Sequence, residues 1–114
     1  MKEIVLAGIA LAVVASGAQA HSMSEETIPA DAATVLSVEV IELRFDDPMR
    51  ITAITLTGPN GELAIERETG MDPVKEFRAL PPADLPDGAY KVNWRGMASD
   101  GHPMQGAFGF TLAD

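Results

Sequence analysis

The chain predicts an all-β sandwich of short antiparallel strands. Apolar and polar residues alternate in brief runs. Clusters of Gly, Pro, Asn and Asp separate those runs. No stretch after residue 20 shows a convincing helical period. Together these signals point to a sandwich rather than to a helical or mixed fold.

The strand signals follow one another along the chain. Ile41, Leu43 and Phe45 alternate with Glu42 and Arg44, giving one buried and one wet face. Phe45-Asp46-Asp47-Pro48 reads as a turn that caps this strand. Ile54 and Leu56 alternate with Thr55 and Thr57, ahead of a turn at Gly58-Pro59-Asn60-Gly61. Leu63 and Ile65 alternate with Ala64 and Glu66. Phe77 and Leu80 fall in a further strand before Pro81-Pro82. Tyr90, Val92 and Trp94 alternate with Lys91, Asn93 and Arg95. Phe108, Phe110 and Leu112 alternate with Gly109 and Thr111. Leu85-Pro86-Asp87-Gly88-Ala89-Tyr90 has the form of a tyrosine corner, in which the hydroxyl returns to nearby backbone. Trp94 shares a strand face with Tyr90 and is expected at the centre of the core.

Residues 1–20 read as a secretory signal peptide. Lys2 stands near the start, Ile4 to Ala15 form an apolar run, and Ala18-Gln19-Ala20 offers small residues at the cleavage positions. The run is shorter than the ~20 apolar residues of a bilayer-spanning helix. Cleavage after Ala20 leaves one domain, residues 21–114, in the periplasm. The sequence has no cysteine, so this domain rests on its core and offers a metal no thiolate. The net charge is −9, and losing Lys2 and Glu3 with the leader leaves it unchanged. That charge argues against nucleic acid or an anionic membrane as partner. No nucleophile stands beside a base, and neither a phosphate-binding glycine loop nor an HExxH motif occurs. These absences point away from an enzyme, and nothing demands more than a monomer.

The two histidines carry the functional signal. After cleavage His21 is the first residue, and it offers a metal both its α-amine and its ring Nδ1. The free amine, with a pKa of about 7.7–8.0, can be deprotonated by a strongly binding metal near neutral pH. Asp100 and His102, two apart in Ser99-Asp100-Gly101-His102-Pro103, would project to one side of an extended segment. Pro103 favours such extension. The pair can bind one ion, or the Asp can simply orient the His. Nitrogen and oxygen ligands in a tetragonal set suit Cu(II), which the Irving–Williams order also favours. Asp46 or Asp47 can supply a further carboxylate. Among the methionines, Met23 and Met104 lie near these residues in sequence; Met49, Met71 and Met97 read as gap-filling or surface residues.

These residues resemble the CopC/PcoC copper-resistance family of the bacterial periplasm. The resemblance rests on His21 after the leader, Pro29-Ala30-Asp31, Leu43-Arg44-Phe45 followed by acid, Gly88 to Arg95, Ser99-Asp100-Gly101-His102-Pro103 and Gly106 to Phe110. It implies an immunoglobulin-like Greek-key sandwich of about seven strands. It implies a Cu(II) site of His21, Asp100 and His102. Asp47 matches an acidic position that lies near copper in some members, although the expected acid there is glutamate. The chain departs from the family in two ways. It lacks the methionine-rich loop that some members use for Cu(I), and Ala32 stands where a glycine is usual.

The leading expectation is a non-enzymatic Cu(II) carrier or buffer in copper resistance or uptake. It would serve a CopD-like inner-membrane copper transporter or another periplasmic copper protein. A terminal-histidine copper oxidoreductase of the monooxygenase kind and a plain sandwich module for protein interaction are the alternatives.

Overall fold

The structure is a computed structural model and describes residues 26–114. The expected leader, its cleavage point, His21 and Met23 lie outside the described residues. The strands are β1 (Glu26–Ile28), β2 (Ala33–Val35), β3 (Ile41–Gly58), β4 (Gly61–Leu63), β5 (Glu66–Arg67), β6 (Val74–Leu80), β7 (Gly88–Ala98) and β8 (Pro103–Leu112). The described residues thus form eight strands, against the expected seven or so, and no helix. β1 and β2 went unpredicted because three residues each are too few to show an alternation.

The long strand β3 organises the fold. Its first part, Ile41–Arg44, pairs with Ala79–Glu76 of β6 and, on the other edge, with β1. Its second part, from Met49 to Thr57, pairs with β7. The ladder to β6 shifts register between Arg44 and Met49. Asp46, Asp47 and Pro48 occupy that irregularity, so they do not end a strand as the sequence suggested. Pro48 has no N–H to give a ladder, and an interrupted ladder is where a strand tolerates it. The bulge lets one strand serve both layers of the sandwich.

The hydrogen-bonded path runs β2-β8-β7-β3-β6-β5, with β1 and β4 also on β3. One pairing departs from the antiparallel expectation: β2 runs parallel to β8, with Ala33 opposite Phe110. The hairpin from β3 to β4 closes at Gly58 and Gly61, as the turn residues foretold.

A single core joins the layers. Ile41, Leu43, Phe77 and Ala79 come from one, and Leu56, Val92, Trp94 and Phe108 from the other. Phe45 meets Trp94 edge-on, with ring centroids 5.3 Å apart. Each large apolar side chain buried in this way contributes about 1.5–3 kcal/mol. The tyrosine corner forms as expected: the Tyr90 hydroxyl donates to the Pro86 carbonyl. The Tyr90 ring stacks on Phe110 at 5.3 Å. β8 passes over Trp94 at Gly106, where a Cβ would lie only 2.8 Å from the indole ring. Ala32 takes φ 68°, a left-handed backbone that glycine adopts freely and alanine does not. The missing glycine therefore falls where the backbone needs one most.

Candidate metal centre

The β7–β8 hairpin carries the Asp-x-His motif at its tip. Its turn closes through two backbone bonds, Ala98 N–H to the His102 carbonyl and Gly101 N–H to the Ala98 carbonyl, each 2.9 Å. Gly101 sits at φ 92°, which a three-residue hairpin of this kind requires. The motif is therefore a tight turn, not the extended segment expected from Pro103. The side chains still meet, by a different route.

Asp100 grips His102 at two points. Its Oδ1 accepts the His102 backbone N–H at 3.2 Å. Its Oδ2 lies 2.8 Å from ring Nδ1. The backbone bond first, and then the ring bond, hold the Asp100 carboxyl below its ordinary range. With Nδ1 engaged, Nε2 is the ring nitrogen left for a metal. Both side chains are largely exposed, Asp100 at 64% and His102 at 75%. A pair this open can exchange an ion with solvent or with another protein.

The β3 bulge faces this hairpin. A depression of about 350 Å³ is bounded by Asp46, Asp47, Asp100 and Met104, over the buried side chains of Phe45 and Met49. Met49 and Ala98 are register partners, so the bulge and the tip are held together by the β3–β7 ladder. The structure thus brings Asp47 to the same depression as Asp100, and Asp46 with it. Met104, half-buried against the core, lines the depression as well. Met71 and Met97 are exposed at the surface, whereas Met49 belongs to the core. Among the described residues, no group of three or more His, Asp or Glu side chains is close enough to hold a metal.

His21 lies outside the described residues, but the register of β1 gives the direction of approach. Glu26 pairs with Arg44 and Ile28 with Glu42, antiparallel. β1 therefore begins at the end of its ladder nearest Phe45 and Asp46, the end that holds the depression. His21 stands five positions before Glu26. An extended chain of that length spans about 16 Å.

A family model for the CopC domain matches residues 24–113. The chain belongs to the CopC family. Its CopC relatives include the copper resistance protein C of Escherichia coli, 30% identical over 98% of this chain and 97% of that protein. The copper resistance protein C of Xanthomonas campestris pv. juglandis is 29% identical over 91% of this chain and 89% of its own length. Among solved structures, PcoC, a methionine-rich copper resistance protein from E. coli, superposes with a TM-score of 0.66. That match covers 82% of this chain and all of PcoC, at 31% identity. CopC from Methylosinus trichosporium OB3b gives a TM-score of 0.68 at 25% identity, over 81% of this chain and 93% of that one. The all-β sandwich expected from the sequence is the fold of this CopC domain.

Proposed function

We propose that the mature chain is a periplasmic Cu(II) carrier or buffer, and not an enzyme. Copper is its cargo, held by the His21 amine and Nδ1, by His102 through Nε2, and by the Asp100 carboxylate. Asp47 stands ready as a further oxygen donor. The observation that carries this reading is the convergence at one end of the molecule. Asp100, paired with His102, and the acids of the β3 bulge line one depression, and β1 begins at the same end, in a chain of the CopC family. Nitrogen and oxygen donors favour Cu(II) over Cu(I); of the two described methionines that line the depression, Met49 is buried in the core and Met104 is half-buried.

Export and cleavage after Ala20 are part of the proposal, because only a free terminus supplies the amine. The recipient would be a CopD-like transporter of the inner membrane or another periplasmic copper protein. The exposed pair suits such a transfer, since a partner can reach the metal without unfolding the carrier. The single Trp and the single Tyr are both buried, which leaves no aromatic platform for a polysaccharide substrate.

Competitive titration of residues 21–114 with Cu(II) and a chelator of known affinity tests the proposal. One equivalent should bind at micromolar affinity or tighter, and His102→Ala should weaken that binding sharply. Absence of saturable binding by the correctly processed protein would refute it. Mass spectrometry of the exported protein should give the mass of a chain beginning at His21.

A further inference from the structure

The two outer faces of the sandwich differ in charge. On the layer of β1, β5, β6 and the first part of β3, several opposite charges are paired around Glu42. Glu42, almost fully buried, accepts from Arg44 at 2.6 Å and from Arg78 at 3.1 Å. Glu26 and Glu76 also lie near Arg44, and Glu68 near Arg78. This face is mixed in charge.

The other layer is not. The chain has 17 acidic residues, yet none lies in β7, in β8 or in β3 between Met49 and Gly58. Its outer face is crossed by registered rows: Thr57-Lys91-Gly109, Thr55-Asn93-Ala107 and Ala53-Arg95-Gln105. Small side chains in these rows leave a trough of about 500 Å³. A second depression, about 510 Å³, shares Arg95 and Gln105 with the first and runs on to Met97, Pro103 and Met104. The trough therefore leads along β7 and β8 to the hairpin that carries His102. Among the described residues, neither Lys91 nor Arg95 has a carboxylate within ion-pair distance.

We infer that this trough docks an extended, acidic segment of a partner protein. Arg95 is the central charge contact, with Lys91 two rows away on the same face, beyond the end of the trough. Asn93, Gln105 and Thr55 offer hydrogen bonds to a peptide backbone. Charge complementarity chooses the occupant: a cationic, carboxylate-free strip on a protein of net charge −9 draws acidic groups to one face and repels them elsewhere. A lipid surface fits less well. The strip is concave, and the net charge would repel an anionic bilayer. A partner seated in the trough would reach the hairpin tip, placing its own ligands beside the metal end.

The test is an amide-resolved NMR titration of residues 21–114 with a hexaglutamate peptide, with hexalysine as control. Anionic phosphatidylglycerol vesicles form a third arm. Saturable shifts are expected in the second part of β3 and along β7 and β8, weakening as salt is raised. Arg95→Glu should weaken peptide binding about tenfold or more. The same variant should bind Cu(II) as the wild type does, so the result is independent of the carrier proposal. Lys91→Glu, also on the surface, should show a smaller loss. The inference is overturned by an absence of saturable shifts, or by shifts centred on other strands. It is equally overturned if Arg95→Glu binds the peptide normally, or if the vesicles bind and the peptide does not.

Discussion

The two ends of the β7–β8 ribbon share one ladder and differ in almost everything else. At the start of β7, Tyr90 is buried, stacked on Phe110 and tied to Pro86, with Val92 and then Trp94 following on the same buried face. At the far end, Asp100 and His102 stand in solvent on a tight turn. The buried end stabilises the sandwich through area and packing. The exposed end owes its geometry to four hydrogen bonds within the turn and contributes little to stability. A protein built this way can lose or gain metal affinity without losing its fold, and substitutions at the two ends should separate accordingly.

The largest stability effect is expected from Trp94→Ala. It removes the ring that packs on Phe45 and under Gly106, and should cost about 3–5 kcal/mol. Chemical denaturation measures this. A loss below about 1 kcal/mol would mean that Trp94 is not the keystone of this end.

Tyr90→Phe should cost about 1 kcal/mol near neutral pH, through loss of the bond to Pro86. The variant also reports on pH. Burial first, and then the Asp87 charge, raise the Tyr90 phenol above its ordinary 10.0. A raised folded pKa stabilises fully below the unfolded value and is lost as pH climbs through the folded one. Wild-type stability should therefore fall more steeply above pH 10 than that of the Phe variant. Parallel alkaline limbs would contradict this. The chain has a single tyrosine, so phenolate absorbance follows the same event directly.

Ala32→Gly should stabilise by about 0.5–1 kcal/mol, as relief of the left-handed strain exceeds the added freedom of the unfolded chain. A lowered melting temperature would show that the alanine is accommodated without strain. Asp100→Asn should change stability least, because the pair stands in solvent at this tip. Its copper affinity should nevertheless fall about 10–100-fold, because copper loses a carboxylate ligand and the imidazole loses the group that orients it. A large loss of stability with unchanged affinity would reverse the contrast between the two ends.

The buried end was the more legible in the sequence. Alternation marks residues that face a core, and it identified Ile41, Leu43, Val92, Trp94, Phe108 and Phe110 without further information. The tyrosine corner was legible because Pro86-Asp87-Gly88 is a turn with a fixed outcome. The bulge was not. Asp-Asp-Pro has the composition of a turn, and only pairing on both edges of β3 keeps the strand running through it. β1 and β2 are held by partners distant in sequence, so they leave no local pattern. At the metal end the residue types were readable and the geometry was not. Pro103 suggested extension, whereas Gly101 at φ 92° makes a turn and lets Asp100 reach back to His102. That Asp47 shares a depression with Asp100 follows from the β3–β7 register, which no spacing along the chain reveals.

The role of the terminal histidine is the central claim, and one comparison tests it most directly. Copper affinity should be measured by chelator competition for the chain beginning at His21, and for the same chain with one added glycine before it. The extra residue leaves every side chain in place and removes the α-amine from His21. One tight Cu(II) equivalent is expected for the native terminus and a loss of at least about 100-fold for the extended chain, because a chelating nitrogen is withdrawn. Equal affinity for the two chains would contradict it, and would place the metal on Asp100, His102 and the bulge acids alone.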